Sequence, residues 1–166
     1  MIATKVYGVD TKKTAEIKIR KWFLSRSDMI RFTKSLETEL HVFPLKITKF
    51  ADDKRFHECM LRLEKEFVRK EENNKKYNNL AQGKKVFTHY FFTLSKKIKT
   101  MLNKESLLYW MVPPSSRYFF ALDDPIFYKG KKMIGGVIGH EAMVYVYLTA
   151  EEKRVREKEG WFFYKK

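Results

Sequence analysis

Apolar positions alternate near both ends of the chain and recur at helical spacing through its middle. Ile2 to Val9 reads as a strand, and Ala15, Ile17, Ile19 and Phe23 mark the inner face of a second, with Lys21 breaking the alternation. Gly8 and the polar run Asp10-Thr11-Lys12-Lys13 supply the turn, so the chain is expected to begin with a β-hairpin. Glu16, Lys18, Arg20 and Trp22 would then share the opposite strand face.

Met29, Phe32, Leu36 and Leu40 fall on one helical stripe, with Ser25 or Ser27 as cap, Asp28 in the first turn and Pro44 just beyond. Leu45 to Phe50 alternates as a short strand. The strongest helix starts near Asp52 or Asp53, with Phe56, Cys59, Met60, Leu63 and Phe67 on its apolar stripe. Gly83 stops it, or stops a continuation through Tyr77 and Leu80. Val86 to Leu102 predicts another helix, whose stripe is Val86, Phe87, Tyr90, Phe91, Leu94, Ile98, Met101 and Leu102. Ser106 to Val112 is apolar and fits either period, and Pro113-Pro114 ends it.

The last third reads as short strands at Tyr118–Leu122, Ile126–Tyr128, Met133–Ile138 and Met143–Leu148. The breaks between them fall at Asp124-Pro125, Lys129-Gly130 and Gly139-His140. Thr149-Ala150-Glu151-Glu152 matches a capping box ahead of a charged helix that Gly160 closes. Trp161 to Tyr164 is then a terminal strand or tail expected to pack back, with Lys165 and Lys166 guarding its end. The fold class is α+β: an N-terminal β-hairpin, central amphipathic helices and a C-terminal, mostly antiparallel β-meander followed by a short helix. One domain over 1–166 is expected, and the boundary to consider is at Pro113-Pro114.

Composition changes this picture in one respect. The 35 Lys+Arg outnumber the 20 Asp+Glu, giving a net charge of +15 on 166 residues. Self-repulsion of that size opposes compaction, and its usual use is to attract a polyanion. The 44% of hydrophobic residues argues against disorder all the same. The start of the chain has no apolar stretch like that of a signal peptide. No run approaches the roughly 18 apolar residues of a membrane span, so a soluble cytoplasmic protein without a membrane partner is expected. Cys59 is the single cysteine, which leaves no internal disulfide.

The arrangement of charge sharpens the expectation. From Asn73 to Lys104 there are eight lysines and no Asp or Glu. On a helix over 86–102, Lys85, Lys96, Lys97 and Lys99 would lie roughly opposite the apolar stripe, as a rail for phosphates. Lys18 and Arg20 beside Trp22 form a second patch, where cations interleave with an aromatic that could stack on a base. Lys129, Lys131 and Lys132 form a third, on a turn. Lysine is a point charge without the planar fork of arginine, so phosphate contact is expected rather than base reading.

Candidates for catalysis are sparse. Gly135-Gly136-Val137-Ile138-Gly139 lacks both the lysine of a phosphate-binding loop and the dinucleotide spacing, and reads more simply as strands with glycine bulges. Asp123 and Asp124 with His140 and Glu141 would make a metal-assisted hydrolytic centre, although Asp before Pro is also ordinary turn chemistry. Asp10 with Glu16-x-Lys18 has a spacing found in metal-dependent nucleases, but Glu-x-Lys arises by chance in a lysine-rich chain. Cys59 lies on an apolar stripe, and the four histidines are scattered, so no metal or cofactor is expected. The sequence points to a small, basic, non-catalytic protein binding DNA or RNA through phosphates, in composition like a phage or mobile-element accessory protein. An inhibitor or immunity-type module for an acidic protein is the alternative, and a metal-dependent nuclease the third reading.

Overall fold

A computed structural model describes residues 2–34, 38–42, 45–49, 53–75, 85–104, 122–138 and 143–165. In chain order the elements are β1 (Lys5–Val9), α1 (Glu16–Arg26), β2 (Met29–Lys34), β3 (Thr38–Val42), β4 (Leu45–Lys49), α2 (Asp53–Arg62) and β5 (Phe67–Lys75). They continue with β6 (Lys85–Thr93), α3 (Lys96–Asn103), β7 (Leu122–Lys129), β8 (Lys132–Ile138), β9 (Met143–Leu148) and α4 (Ala150–Lys158). Seven strands form one antiparallel sheet in the order β1-β9-β8-β7-β2-β6-β5, and β3 pairs with β4 separately. The fold is α+β.

The first strand forms where alternation places it, but its partner is β9, not the segment after it. Residues 16–26 are helical. Ile19, Trp22 and Phe23 are buried at i, i+3 and i+4, while Ile17 is 71% exposed. Adjacent buried Trp22 and Phe23 suit a helix and cannot share one face of a strand. The early hairpin in the chain is β3–β4, with Val42 opposite Leu45.

Two expected helices are also partly strand. At Met29–Lys34, Ile30 and Phe32 are fully buried with period two, and β2 is an interior strand between β6 and β7. The run Val86 to Thr93 is rich in aromatic and β-branched residues and forms β6. Ser95 then accepts the Ile98 N–H at 3.3 Å and starts α3, so the expected 86–102 helix divides at Leu94-Ser95. The α2 stripe holds for Phe56, Cys59, Met60 and Leu63, but the helix ends at Arg62 and Phe67 opens β5.

Helices α1, α2 and α3 pack on one face of the sheet through Phe23, Cys59, Ile98 and Leu102 against Ile30, Phe32, Phe92 and Val146. Phe23 stacks on Phe127 with ring centroids 4.4 Å apart. A smaller cluster of Phe91, Ile126 and Tyr128, with Met29 and Met133, lies on the opposite face.

The expected break at Asp124-Pro125 is a bulge inside β7. The register between β2 and β7 shifts between Arg31 and Thr33, and Asp124 has φ 50°. Proline donates no hydrogen bond and rarely sits in an interior strand, so the extra residue accommodates it. The glycine pair Gly135-Gly136 lies within β8, and strand β9 spans the residues predicted for it.

The end of the chain follows its sequence closely. Thr149 accepts the Glu152 N–H at 3.1 Å, and Glu152 accepts the Thr149 N–H at 2.8 Å, completing the capping box of α4. The tail then returns along β1, with bonds from Asp10 N–H to Phe162 O (2.9 Å) and from Tyr164 N–H to Gly8 O (3.0 Å). Trp161 is buried, and the tail covers part of the outer edge of the sheet. The Pro113-Pro114 boundary, His140 and Glu141 lie outside the described residues.

Candidate nucleic-acid interface

Strand register gathers cations at one end of the sheet. Met29 at the start of β2 pairs with Thr93 at the end of β6 and with Tyr128 near the end of β7. Thr93 leads into α3 with Lys96 and Lys97 in its first turn, and Tyr128 leads into the hairpin Lys129-Gly130-Lys131-Lys132. Asp28 ties the two together. Its carbonyl accepts the Leu94 N–H at 2.9 Å, its carboxylate accepts the Gly130 N–H at 2.9 Å, and Lys129 lies 3.4 Å from it. Gly130 sits in the left-handed region at φ 57°, which a two-residue hairpin turn requires. Lys131 and Lys132 are exposed.

The α2–β5 turn brings further cations to this end. Thr93 N–H bonds to Glu66 O at 2.8 Å, which places Arg62 and Lys65 beside the α3 lead-in. Arg62, Lys96, Lys97, Thr100 and Met101 line a groove of about 520 Å³. Lys97 donates to the Arg62 carbonyl and lies 4.0 Å from the Glu66 carboxylate. Lys96 and Lys99 make no ion pair among the described residues. The first turn of α3 carries no acid and two lysines, the reverse of what the helix dipole favours. The Glu66 carboxylate, which accepts the Ser95 N-cap hydroxyl at 3.4 Å and lies 4.0 Å from Lys97, supplies negative charge to that helix end from outside it.

Four of the sequence-derived contacts are placed elsewhere. Lys85 begins β6, opposite Lys75 in register, so the whole strand separates it from α3, about 26 Å at 3.3 Å per residue. Lys85 therefore does not continue the Lys96–Lys97–Lys99 line. The patch of Lys18, Arg20 and Trp22 does not form as a strand face. Trp22 is 5% exposed, edge-on to Phe23 and Trp161, and cannot stack on a base. Lys18 Nζ donates to Glu159 O at 2.6 Å at the end of α4, and Arg20 donates to Asn103 O at 3.2 Å at the end of α3. Both satisfy carbonyls that their helices leave open. Arg20 also pairs with Glu16 at 2.9 Å, and Asp10 accepts the Lys12 N–H at 3.1 Å within its turn. The Asp10, Glu16 and Lys18 spacing is thus engaged in turn, ion pair and cap.

Of the candidate hydrolytic residues, Asp123 pairs with Thr33 in register and Asp124 lies in the bulge. Among the described residues no three His, Cys, Asp or Glu side chains converge on a metal position. Burial pushes the Cys59 thiol up to about 11, against a smaller opposing effect of Arg62, so it stays protonated at neutral pH. Among the described residues no helix is long and apolar enough to cross a membrane.

The sequence missed Arg62 and Lys65, which belong to the gathered end. Each looks like an isolated surface cation in the chain, and register is what adds them. No protein-family model matches the chain, and neither does any curated protein or solved structure.

Proposed function

We propose that this protein binds nucleic acid chiefly through backbone phosphates, using the basic end of its sheet. The supporting observation is the convergence of Arg62, Lys65, Lys96, Lys97, Lys129, Lys131 and Lys132 around the Asp28 tie, on a chain of net charge +15. Lysines dominate the set, so the contacts position a strand without reading its bases. The test is fluorescence anisotropy of labelled RNA and DNA at rising salt. Log affinity should fall linearly with log salt, by about 0.9 per phosphate neutralised on duplex and about 0.7 on single strands. Lys131→Gln with Lys132→Gln should lower that slope. A chain that binds neither polymer at low salt contradicts the reading.

A further inference from the structure

The sheet face opposite the three packed helices carries an arginine that forms no ion pair with a described residue, although Glu71 and Asp124 lie near the same tyrosines. Arg31 lies in the interior strand β2, half-buried, and its Nε is buried without a hydrogen-bond partner. No carboxylate lies within ion-pair distance of it among the described residues. Arg20, Arg26, Arg69 and Arg156, by contrast, are each paired with a glutamate. A partly buried charge without a partner is costly, and a bound anion would remove that cost.

Its surroundings are aromatic. Register aligns Tyr145, Gly136, Ile126, Arg31, Phe91 and Arg69 in one row across six strands, about 24 Å at 4.8 Å per strand. Gly136 leaves room for the Tyr145 phenol to lie along this row, since a Cβ there would stand 2.9 Å from its Oη. Tyr128 lies diagonally from Arg31, and Tyr147 meets Tyr145 edge-on at 6.1 Å. At the far end Arg69 stacks on Phe91, its Cζ 3.8 Å from the ring centroid, with its outer side half-exposed. Glu71 is held by Arg69 at 2.8 Å, and Asp124 sits in the bulge. Burial raises the Tyr128 phenol, and raises that of Tyr145 to about 12, so both remain neutral donors at physiological pH.

We infer that this face takes a single nucleic-acid strand, with Arg31 holding a backbone phosphate between the Tyr128 and Tyr145 phenols and bases lying against Tyr147 and the stacked Arg69. The inference rests on the proposed phosphate binding and names the form of polymer. A duplex hides its base faces, whereas a single strand offers them to aromatic rings and guanidinium planes. Tyr128 is followed by Lys129 at the end of β7, so this face reaches the lysine hairpin at the basic end.

The experiment measures anisotropy of a short labelled oligo-uridylate and oligo-thymidylate and of a duplex of equal length, together with the thermal midpoint of each variant. Arg31→Met should weaken single-strand binding by roughly 10- to 100-fold while leaving the midpoint unchanged or raised, because it removes an unpaired buried charge. Tyr147→Ala, at a half-buried position, should weaken it by roughly 5- to 100-fold through lost stacking. Unchanged affinity in both variants overturns the inference, even where substitutions at the basic end still weaken binding and the broader reading stands. Tighter binding of the duplex by the natural chain overturns the single-strand assignment. If inorganic phosphate stabilises the natural chain but not Arg31→Met, and both bind oligonucleotides equally, the site takes free phosphate and the inference fails. Absence of any oligonucleotide binding removes both readings.

Discussion

On α1, Lys18 and Arg20 reach back to the open carbonyls at the ends of α4 and α3. On α3, Lys96 and Lys99 reach no carboxylate among the described residues, and Lys96 sits where the helix dipole disfavours it. The contrast extends to α4, which buries none of its own residues. Helix α1 holds it at both ends, through Arg26 to Glu152 at 3.1 Å near its start and Lys18 at its finish. Lys18, Arg20 and Arg26 on α1 are therefore structural members, whereas on α3 only Lys97 finds an acceptor and Lys96 and Lys99 find none among the described residues. Their number alone does not separate the two roles, whereas the presence or absence of an acceptor does.

Substitutions should show this difference in the sign of their effects. The largest is Trp22→Ala, expected to cost about 3–5 kcal/mol in denaturant unfolding because the ring packs against Phe23 and Trp161. An exposed stacking aromatic would cost less than about 0.5 kcal/mol. Next, Arg20→Ala should cost about 1–2 kcal/mol, since it strips a mostly buried side chain from Glu16 and from the end of α3. A smaller effect is expected at α4. Thr149→Ala should cost about 1 kcal/mol by opening the capping box. Burial raises the Glu152 pKa, but bonds from the Thr149 backbone and hydroxyl and from Arg26 outweigh this and hold it below the usual glutamate range. That contribution is present above the unfolded glutamate pKa and is lost as pH falls through the lowered folded value. Circular dichroism in acid should therefore show α4 loosening, and Arg26→Gln should lessen the change. The smallest effect has the opposite sign. Lys96→Glu should stabilise the fold by about 0.3–1 kcal/mol through the helix dipole while weakening nucleic-acid binding. Destabilisation by Lys96→Glu would remove the distinction between the two helices.

The sequence was most legible where the signal is local. Thr149 and Glu152 are three residues apart and cap each other, the α2 stripe from Phe56 to Leu63 needs one period, and the tail packs back with Trp161 buried while Phe162 and Tyr164 stay exposed. It was least legible where one spacing fits two structures. Met29 and Phe32 are three apart, as in a helix, yet Ile30 and Phe32 are the pair the core buries, because β2 lies between two strands drawn from distant parts of the chain. Ala15, Ile17 and Ile19 alternate like a strand, while Ile19, Trp22 and Phe23 set the helix that buries them. The candidate site divided in the same way. The turn lysines were visible beside Gly130, but their meeting with Arg62 and Lys96 depends on Asp28 bonding to Leu94 and Gly130, and no local pattern encodes that contact.

The most direct test compares two variants of one chain in one binding assay: Lys96→Gln, Lys97→Gln and Lys99→Gln together, against Lys18→Gln alone. On a labelled single strand, the α3 variant should lower the slope of log affinity against log salt by about 0.7 for each phosphate it no longer neutralises. Lys18→Gln should leave that slope where it was and shift only the stability of α4. An unchanged slope in the α3 variant, or an equal fall per lysine in both, would contradict the account.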